Sequence, residues 1–151
     1  KIILFMYNLD QTDLQILKEL KENSRITTKE LAARVNLSST PVYDRVKKLE
    51  KEGIIKGYVA VLDYEKLNRG FGVYCNIKLK LINPEIALRF VNFISEIPEV
   101  TECYNISGEY DYLLKIQAPD MKYYQSFLIN TLGKFDGIAG IHSVFIMEVV
   151  K

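Results

Sequence analysis

The sequence predicts an α+β chain: a helical head of the helix-turn-helix type, then a domain ordered strand, helix, strand, strand, helix, strand. Three observations carry this expectation. Between Gln11 and Gly53, apolar residues recur every three or four positions, with capping residues at the breaks. From Val73 onward, period-two alternation interleaves with two further helical stretches. The length, 151 residues, suffices for one sizeable core or for a small head and a second small domain. The divisions expected are a helical head over residues 6–57, a linker strand and loop over 58–72, and the second domain over 73–151.

Asp10 can cap the first helix by accepting an amide of its first turn. Leu14, Ile16, Leu17 and Leu20 follow at helical spacing, and Asn23-Ser24 closes the helix. Thr27-x-x-Glu30 has the form of a capping box and opens a short second helix with Leu31, Ala32 and Val35 inward. Asn36 suits the left-handed conformation that ends a helix, so Asn36-Leu37-Ser38 reads as a tight turn. A third helix starts at Ser38 or Ser39 and tolerates Pro41 in its first turn, where the missing N–H had no partner. Val42, Val46 and Leu49 form its buried stripe, and Gly53 stops it. Residues 54–62 then read as a strand or ribbon, the wing of the head, with Gly57 as a bend.

On a helical wheel with Val42 at 0°, Thr40, Asp44, Lys47 and Lys51 fall between about 140° and 200°, and Tyr43 near 100°. The outward face therefore carries hydroxyls first, then an aromatic, then lysines, which is the chemistry of a helix that reads a major groove. Hydroxyls and amides at the start, from Ser39, Thr40 and the turn around Pro41, can hold phosphate. Tyr43 and Asp44 can reach base edges, and Lys47, Lys48 and Lys51 neutralise the backbone. Arg45, near −60°, lies toward the core side, where it either braces the head or reaches a flanking phosphate. The competing reading is an ordinary solvated helix in which the three lysines pair with Asp44, Glu50 and Glu52.

In the second domain, residues 73–82 alternate as a half-buried strand. Pro84 opens a helix with Ala87, Leu88, Val91 and Ile94 expected inward, and Pro98 ends it. Residues 100–107 and 110–117 form antiparallel strands about a turn at Gly108-Glu109. Asp120 caps a second helix with Tyr124, Phe127, Leu128, Thr131 and Leu132 inward, and after a loop closed by Gly137, residues 138–150 are the last strand. This order is that of a ferredoxin-like βαββαβ sandwich, four antiparallel strands under two helices. Tyr74, Tyr112 and Phe145 are expected on the uncovered face, where an apolar surface calls for a partner and predicts a dimer packed sheet to sheet.

Bulk properties exclude other classes. At 48% hydrophobic and 26% charged, the chain is of ordinary globular composition. Its net charge is +1; up to Asp63 there are 11 Lys and Arg against 9 Asp and Glu, and beyond it 9 against 10, so the local arrangement matters more than the total. The apolar run at residues 2–7 is too short to span a bilayer and lacks a signal-peptide cleavage site, which predicts a cytoplasmic protein with no membrane partner. Met6 reads as a natural beginning, making residues 1–5 an extension or vector remnant. Cys75 and Cys103 have no C-x-x-C spacing and are expected reduced, Cys103 buried. The one histidine, His142, is expected on an exposed strand position and argues against a metal. No Cys/His or Ser/His/Asp constellation and no Gly-rich phosphate loop suggests an enzyme or a cofactor.

The chain matches a known pattern at many spaced positions. In the head these are Leu9-Asp10-x-x-Asp13-x-x-Ile16-Leu17, Arg25, Glu30-Leu31-Ala32, Leu37-Ser38-x-Thr40-Pro41, Arg45-Val46-x-x-Leu49-Glu50-x-x-Gly53-Ile54-Ile55 and Gly57-Tyr58. In the second domain they are the run from Ser107 through Gly108-Glu109-Tyr110-Asp111 to Lys115, and Pro119-Asp120-Met121. On these residues the sequence resembles the Lrp/AsnC (leucine-responsive, feast/famine) family of prokaryotic transcription regulators along essentially its whole length. The resemblance implies that the second domain is a RAM-type effector domain that pairs chains into homodimers, often assembled into octamers or larger discs. It also implies that amino acids or related metabolites bind between dimers and shift assembly or DNA affinity. The family's Gly-Asp-x-Asp turn lies at that effector site and reads Gly108-Glu109-Tyr110-Asp111 here, with Glu109 one methylene longer.

For that turn, flanked by Ser107, a physical rationale exists. Gly108 can expose backbone groups to a ligand carboxylate, and Asp111 can accept from an ammonium group. The plainer reading is a hairpin turn with solvated acids, just as Met121, matched near the effector region, can be ordinary helix packing. The expected function is a sequence-specific regulator on double-stranded DNA, tuned by a small molecule. The alternative is an architectural protein that wraps DNA with little specificity.

Overall fold

Asp10 accepts the Asp13 amide at 2.8 Å, and the Asp13 carboxylate accepts the Asp10 amide at 3.2 Å. This reciprocal cap satisfies two amides that a helix start leaves orphaned, and α1 (Gln11–Glu22) begins there. The computed structural model describes residues 8–150, so the expected start at Met6 and the remnant at residues 1–5 lie outside the described residues. Thr27 and Glu30 close the expected capping box and start α2 (Thr28–Arg34). Asn36 takes φ 55°, the left-handed conformation that turns the chain into α3 (Ser39–Lys51). Gly53, at φ 72°, ends α3.

The head's core is Ile16, Leu31, Ala32, Val35, Val42 and Leu49, with Leu17, Leu20, Val46, Ile54 and Ile55 packed around it. Leu14, expected in that stripe, is exposed, because it sits two residues before Ile16 and so on the opposite side of the helix. The expected strand or ribbon after Gly53 is also corrected. Residues 54–63 contain no strand, and the amides of Ile54 and Ile55 both donate to the Leu49 carbonyl, at 3.0 and 3.1 Å. A β-rich composition becomes a strand only against a partner edge, and among the described residues of the head there is none.

The chain forms two compact units, one through Val61 and one from Leu62 onward. The second is a four-stranded antiparallel sheet in the order β2-β3-β1-β4, from β1 (Phe71–Leu79), β2 (Val100–Asn105), β3 (Tyr112–Ala118) and β4 (Ile138–Phe145). Helices α4 (Pro84–Ser95) and α5 (Met121–Asn130), capped by Asn83 and Asp120, cover one face. The order and the two helices make it the ferredoxin-like sandwich. β1 starts at Phe71 rather than Val73, and β4 ends at Phe145, beyond which Ile146 still donates to the Gly72 carbonyl at 3.0 Å.

Register decides the faces. Val73 pairs with Ile116 and Cys75 with Leu114, and all four are buried toward the helices. Tyr112 belongs to that same set: it is 6% exposed and its ring lies 4.6 Å from Phe90, so it is not on the open face. Phe145, opposite Val73, also turns inward, 5.9 Å from Tyr124 of α5 and 5.6 Å from Phe71. Of the three expected open-face aromatics only Tyr74 is there, with Leu113, Lys115, Tyr104, His142 and Val144 as its company. In α4 the inner residues are Phe90 and Ile94, flanked by Ile86 and Phe93, while Leu88 and Val91 are exposed. Cys103 is exposed, because β2 is an edge strand.

Two outcomes follow for stability. Phe90→Ala removes a ring packed on Tyr112 and Phe135 and should cost about 3–5 kcal/mol in urea unfolding, whereas a cost under about 1 kcal/mol would mean that this core is loosely packed. The Asp10 carboxylate is held below its ordinary range, first by the Asp13 amide and then by Arg45. A lowered folded-state value contributes stability that is present above the unfolded value and is lost as pH falls through the folded-state value. Asp10→Asn should therefore make the acid loss of thermal stability shallower, and identical slopes in both proteins would remove Asp10 from this account.

Candidate DNA-reading helix and effector turn

α3 begins after Ser38, which takes an extended conformation and makes no side-chain cap, so the first-turn amides keep no side-chain partner. Ser39, Thr40, Pro41, Tyr43, Asp44, Lys47, Lys48 and Lys51 are all exposed, and the helix is anchored from behind by buried Val42 and Leu49. Arg45 stands apart. One guanidinium nitrogen reaches Asp10 and Asp13, each at 2.7 Å, with the Asp13 side chain almost wholly buried. These hydrogen bonds, Asp13 first, raise the Arg45 pKa further. Arg45 acts as a brace: it ties the start of α1 to the middle of α3.

The solvated-helix reading holds in part. Lys47 pairs with Glu50 at 2.7 Å and lies 5.7 Å above the Tyr43 ring, and Lys48 stands 4.0 Å from Glu52. Among the described residues, Asp44 and Lys51 have no ion-pair partner. Two residues outside the expected set join this surface. Glu50 bonds Lys47 and also accepts from the Tyr58 hydroxyl at 3.0 Å. The Glu50 carboxyl is accordingly lowered by Lys47 and then by Tyr58, and burial, then Glu50, raises the Tyr58 phenol. A Glu three residues after a Lys signals the first contact; nothing local signals the second.

In the second unit, the turn after β2 is bolted to the end of β1. The Asp111 amide donates to the Ile77 carbonyl at 2.9 Å, and its carboxylate accepts from the Leu79 amide at 2.8 Å and from Lys78 Nζ at 3.2 Å. Its carbonyl accepts from the Ile106 amide at 3.0 Å and from Asn105 Nδ2 at 2.9 Å. Asp111 is 8% exposed, and both its carboxylate oxygens accept hydrogen bonds from within the chain. Ser107, Gly108 and Glu109 are exposed, and Gly108 takes φ 111°, a conformation that L side chains rarely adopt. Tyr110 stacks on exposed His142 at 5.9 Å.

Beside this turn, Asp111, Asn105, Ile106, Leu79, Asn83 and Tyr112 line a cavity of about 500 Å³. Met121 is not near it. It opens α5 beyond the far end of β3, and the strand between them spans about 20 Å. Within one chain the structure therefore separates Met121 from the rest of the expected effector set. Among the described residues there is no group of three or more His, Cys, Asp or Glu placed to hold a metal ion, and no helix is long and apolar enough to cross a membrane.

Comparison with known proteins agrees with both halves. Residues 9–56 match a winged helix-turn-helix DNA-binding family, and residues 72–151 match the Lrp/AsnC ligand binding domain. The Bkd operon transcriptional regulator of Pseudomonas aeruginosa is 39% identical over 96% of this chain and 95% of its own length. The leucine-responsive regulatory protein of Escherichia coli is 38% identical over 95% and 88%. Among solved structures, a Neisseria meningitidis transcriptional regulator in complex with L-Met superposes with a TM-score of 0.90, at 35% identity over 95% of this chain and 92% of that one. Escherichia coli AsnC gives 0.85, at 26% identity over 96% of each chain. With matches to both family models and relatives of this identity along nearly its full length, the chain belongs to the Lrp/AsnC family of transcriptional regulators.

Proposed function

We propose that this chain is a sequence-specific DNA-binding regulator in the cytoplasm whose assembly or DNA affinity is set by an amino acid or a related metabolite. The observation that carries the first half is α3: a helix braced by Arg45 from behind, with Thr40, Tyr43, Asp44 and Lys51 exposed on one side. Ser39, Thr40 and Pro41 approach phosphate, Tyr43 and Asp44 approach base edges, and Lys47, Lys48 and Lys51 neutralise backbone. Arg45 contributes by positioning. The chain works by binding alone, with no catalytic turnover.

Two heads of a homodimer read a pseudo-palindrome, with half-sites about one helical turn or a multiple apart. The open sheet face with Tyr74, Tyr104, Leu113 and Val144 joins the protomers, and dimers assemble further toward an octamer. The L-Met in the Neisseria neighbour and the leucine-responsive relative support an amino acid as effector. Ser107, Gly108, Glu109 and Tyr110 present the turn to it, and Asp111 holds the turn's shape. Because Met121 lies a strand's length away, a pocket that uses both takes them from different protomers. An effector that prefers one assembly shifts the population, and DNA affinity reports the shift.

Replacing Lys47 and Lys51 by Ala should weaken binding to every duplex and flatten the slope of log affinity against log salt by about two. Unchanged binding curves would contradict this docking. A thermal-shift screen of the amino acids should find one that raises the melting temperature, since a ligand bound only by the folded state stabilises by mass action. Silence across the set would contradict an amino-acid effector. Asp111→Ala should lower stability by about 1–3 kcal/mol and abolish the ligand-induced shift, because a bonded amide and ammonium lose their acceptor. A fully retained shift would remove Asp111 from the pocket's support.

A further inference from the structure

The three lysines of α3 are not equally available. Lys51 has no ion-pair partner among the described residues, and Lys48 stands 4.0 Å from Glu52. Lys47 is held on two sides, by Glu50 Oε2 at 2.7 Å and by the Tyr43 ring at 5.7 Å. The other oxygen of the same carboxylate, Oε1, accepts from the Tyr58 hydroxyl at 3.0 Å. The Glu50 side chain thus has a different donor on each oxygen, and turning it out to solvent breaks both bonds. On the helical wheel Lys47 lies near 140°, inside the groove-facing band, and Glu50 near 80°, at its edge. An anion fixed there occupies Lys47 and keeps it from an approaching phosphate.

We propose that Glu50 restrains DNA binding by holding Lys47 in the DNA-free head, and that Tyr58, from the segment leading out of the head, keeps the Glu50 carboxylate in that position. The inference rests on the reading of α3 as the DNA-contacting helix. A phosphate that reaches Lys47 displaces Glu50 first. The pairing also explains why Lys47 is raised and Glu50 lowered from their ordinary values, each chiefly through the other. The affinity of the head is therefore held below what its cations alone would give.

The test is fluorescence anisotropy of the full chain with two labelled duplexes, one a pseudo-palindromic site and one of random sequence, across a salt series. Glu50→Gln keeps the shape and removes the charge. It should tighten binding to both duplexes about fivefold, the upper range for an exposed ion pair, and leave the salt slope nearly unchanged, because Lys47 makes the same phosphate contact in both complexes. The gain should disappear in a Lys47→Ala background. Tyr58→Phe should tighten binding by a smaller factor, and add nothing once Glu50 is Gln. Thermal melting of each variant verifies the fold, and Tyr58→Phe supplies an independent route if Glu50→Gln is unstable. Unchanged or weaker binding by folded Glu50→Gln overturns the proposal. So does an equal gain in the Lys47→Ala background, which would mean simple charge repulsion, or a Tyr58→Phe effect that persists without the carboxylate. Failure of the unaltered protein to bind either duplex would instead overturn the reading of α3 itself.

Discussion

Arg45 joins two carboxylates that the fold sets one turn apart at the beginning of α1. Asp13 is nearly buried, and a carboxylate in that position is tolerated only when hydrogen-bonded and paired. It accepts from Arg45 and from the Asp10 amide, while Asp10 accepts from Arg45 and from the Asp13 amide. The same four contacts start α1 and fix the rotation of α3 against it. With Val42 and Leu49 on the buried side, this leaves Thr40, Tyr43, Asp44, Lys47 and Lys51 outward as a set. Everything proposed about DNA depends on that rotation.

The second unit uses related physics at its turn. Asp111 is buried, and its carboxylate pins the segment after β2 to the last residues of β1 through the Leu79 amide and Lys78. Ser107, Gly108 and Glu109 are then displayed at the end of the sheet beside a cavity. In each unit a buried acidic residue with every oxygen engaged holds an exposed segment in place. Neither acid needs to touch a ligand for its loss to be felt there.

What was legible in the sequence was local. Asp10, Thr27 and Asp120 act on amides three residues away, and Asn36 acts through its own backbone conformation, so each could be read from its neighbours. Strand order was legible because alternation and helical spacing differ over a few residues. Faces were harder. α4 carries Ile86, Leu88, Phe90, Val91, Phe93 and Ile94, more apolar residues than one side can bury, and the sheet beneath chose the Phe90–Ile94 side. β3 is apolar on both sides at its start, so Tyr112 and Leu113 were distinguishable only by the register with β1. The segment after Gly53 has strand-like residues without a neighbouring strand. The partners of Arg45, Asp111 and Tyr58 lie 35, 32 and 8 residues away, outside the reach of any local pattern.

The central claim is that the outward side of α3 enters the major groove. Thr40→Cys in a Cys103→Ser background, labelled with a DNA-cleaving iron chelate, tests it most directly, since the remaining Cys75 is buried. The account predicts cuts confined to the major groove of each half-site, repeating at about one helical turn or a multiple. Cuts scattered along the duplex, or no cuts from Thr40 beside strong ones from the same chelate placed at Lys29 on α2, would contradict it.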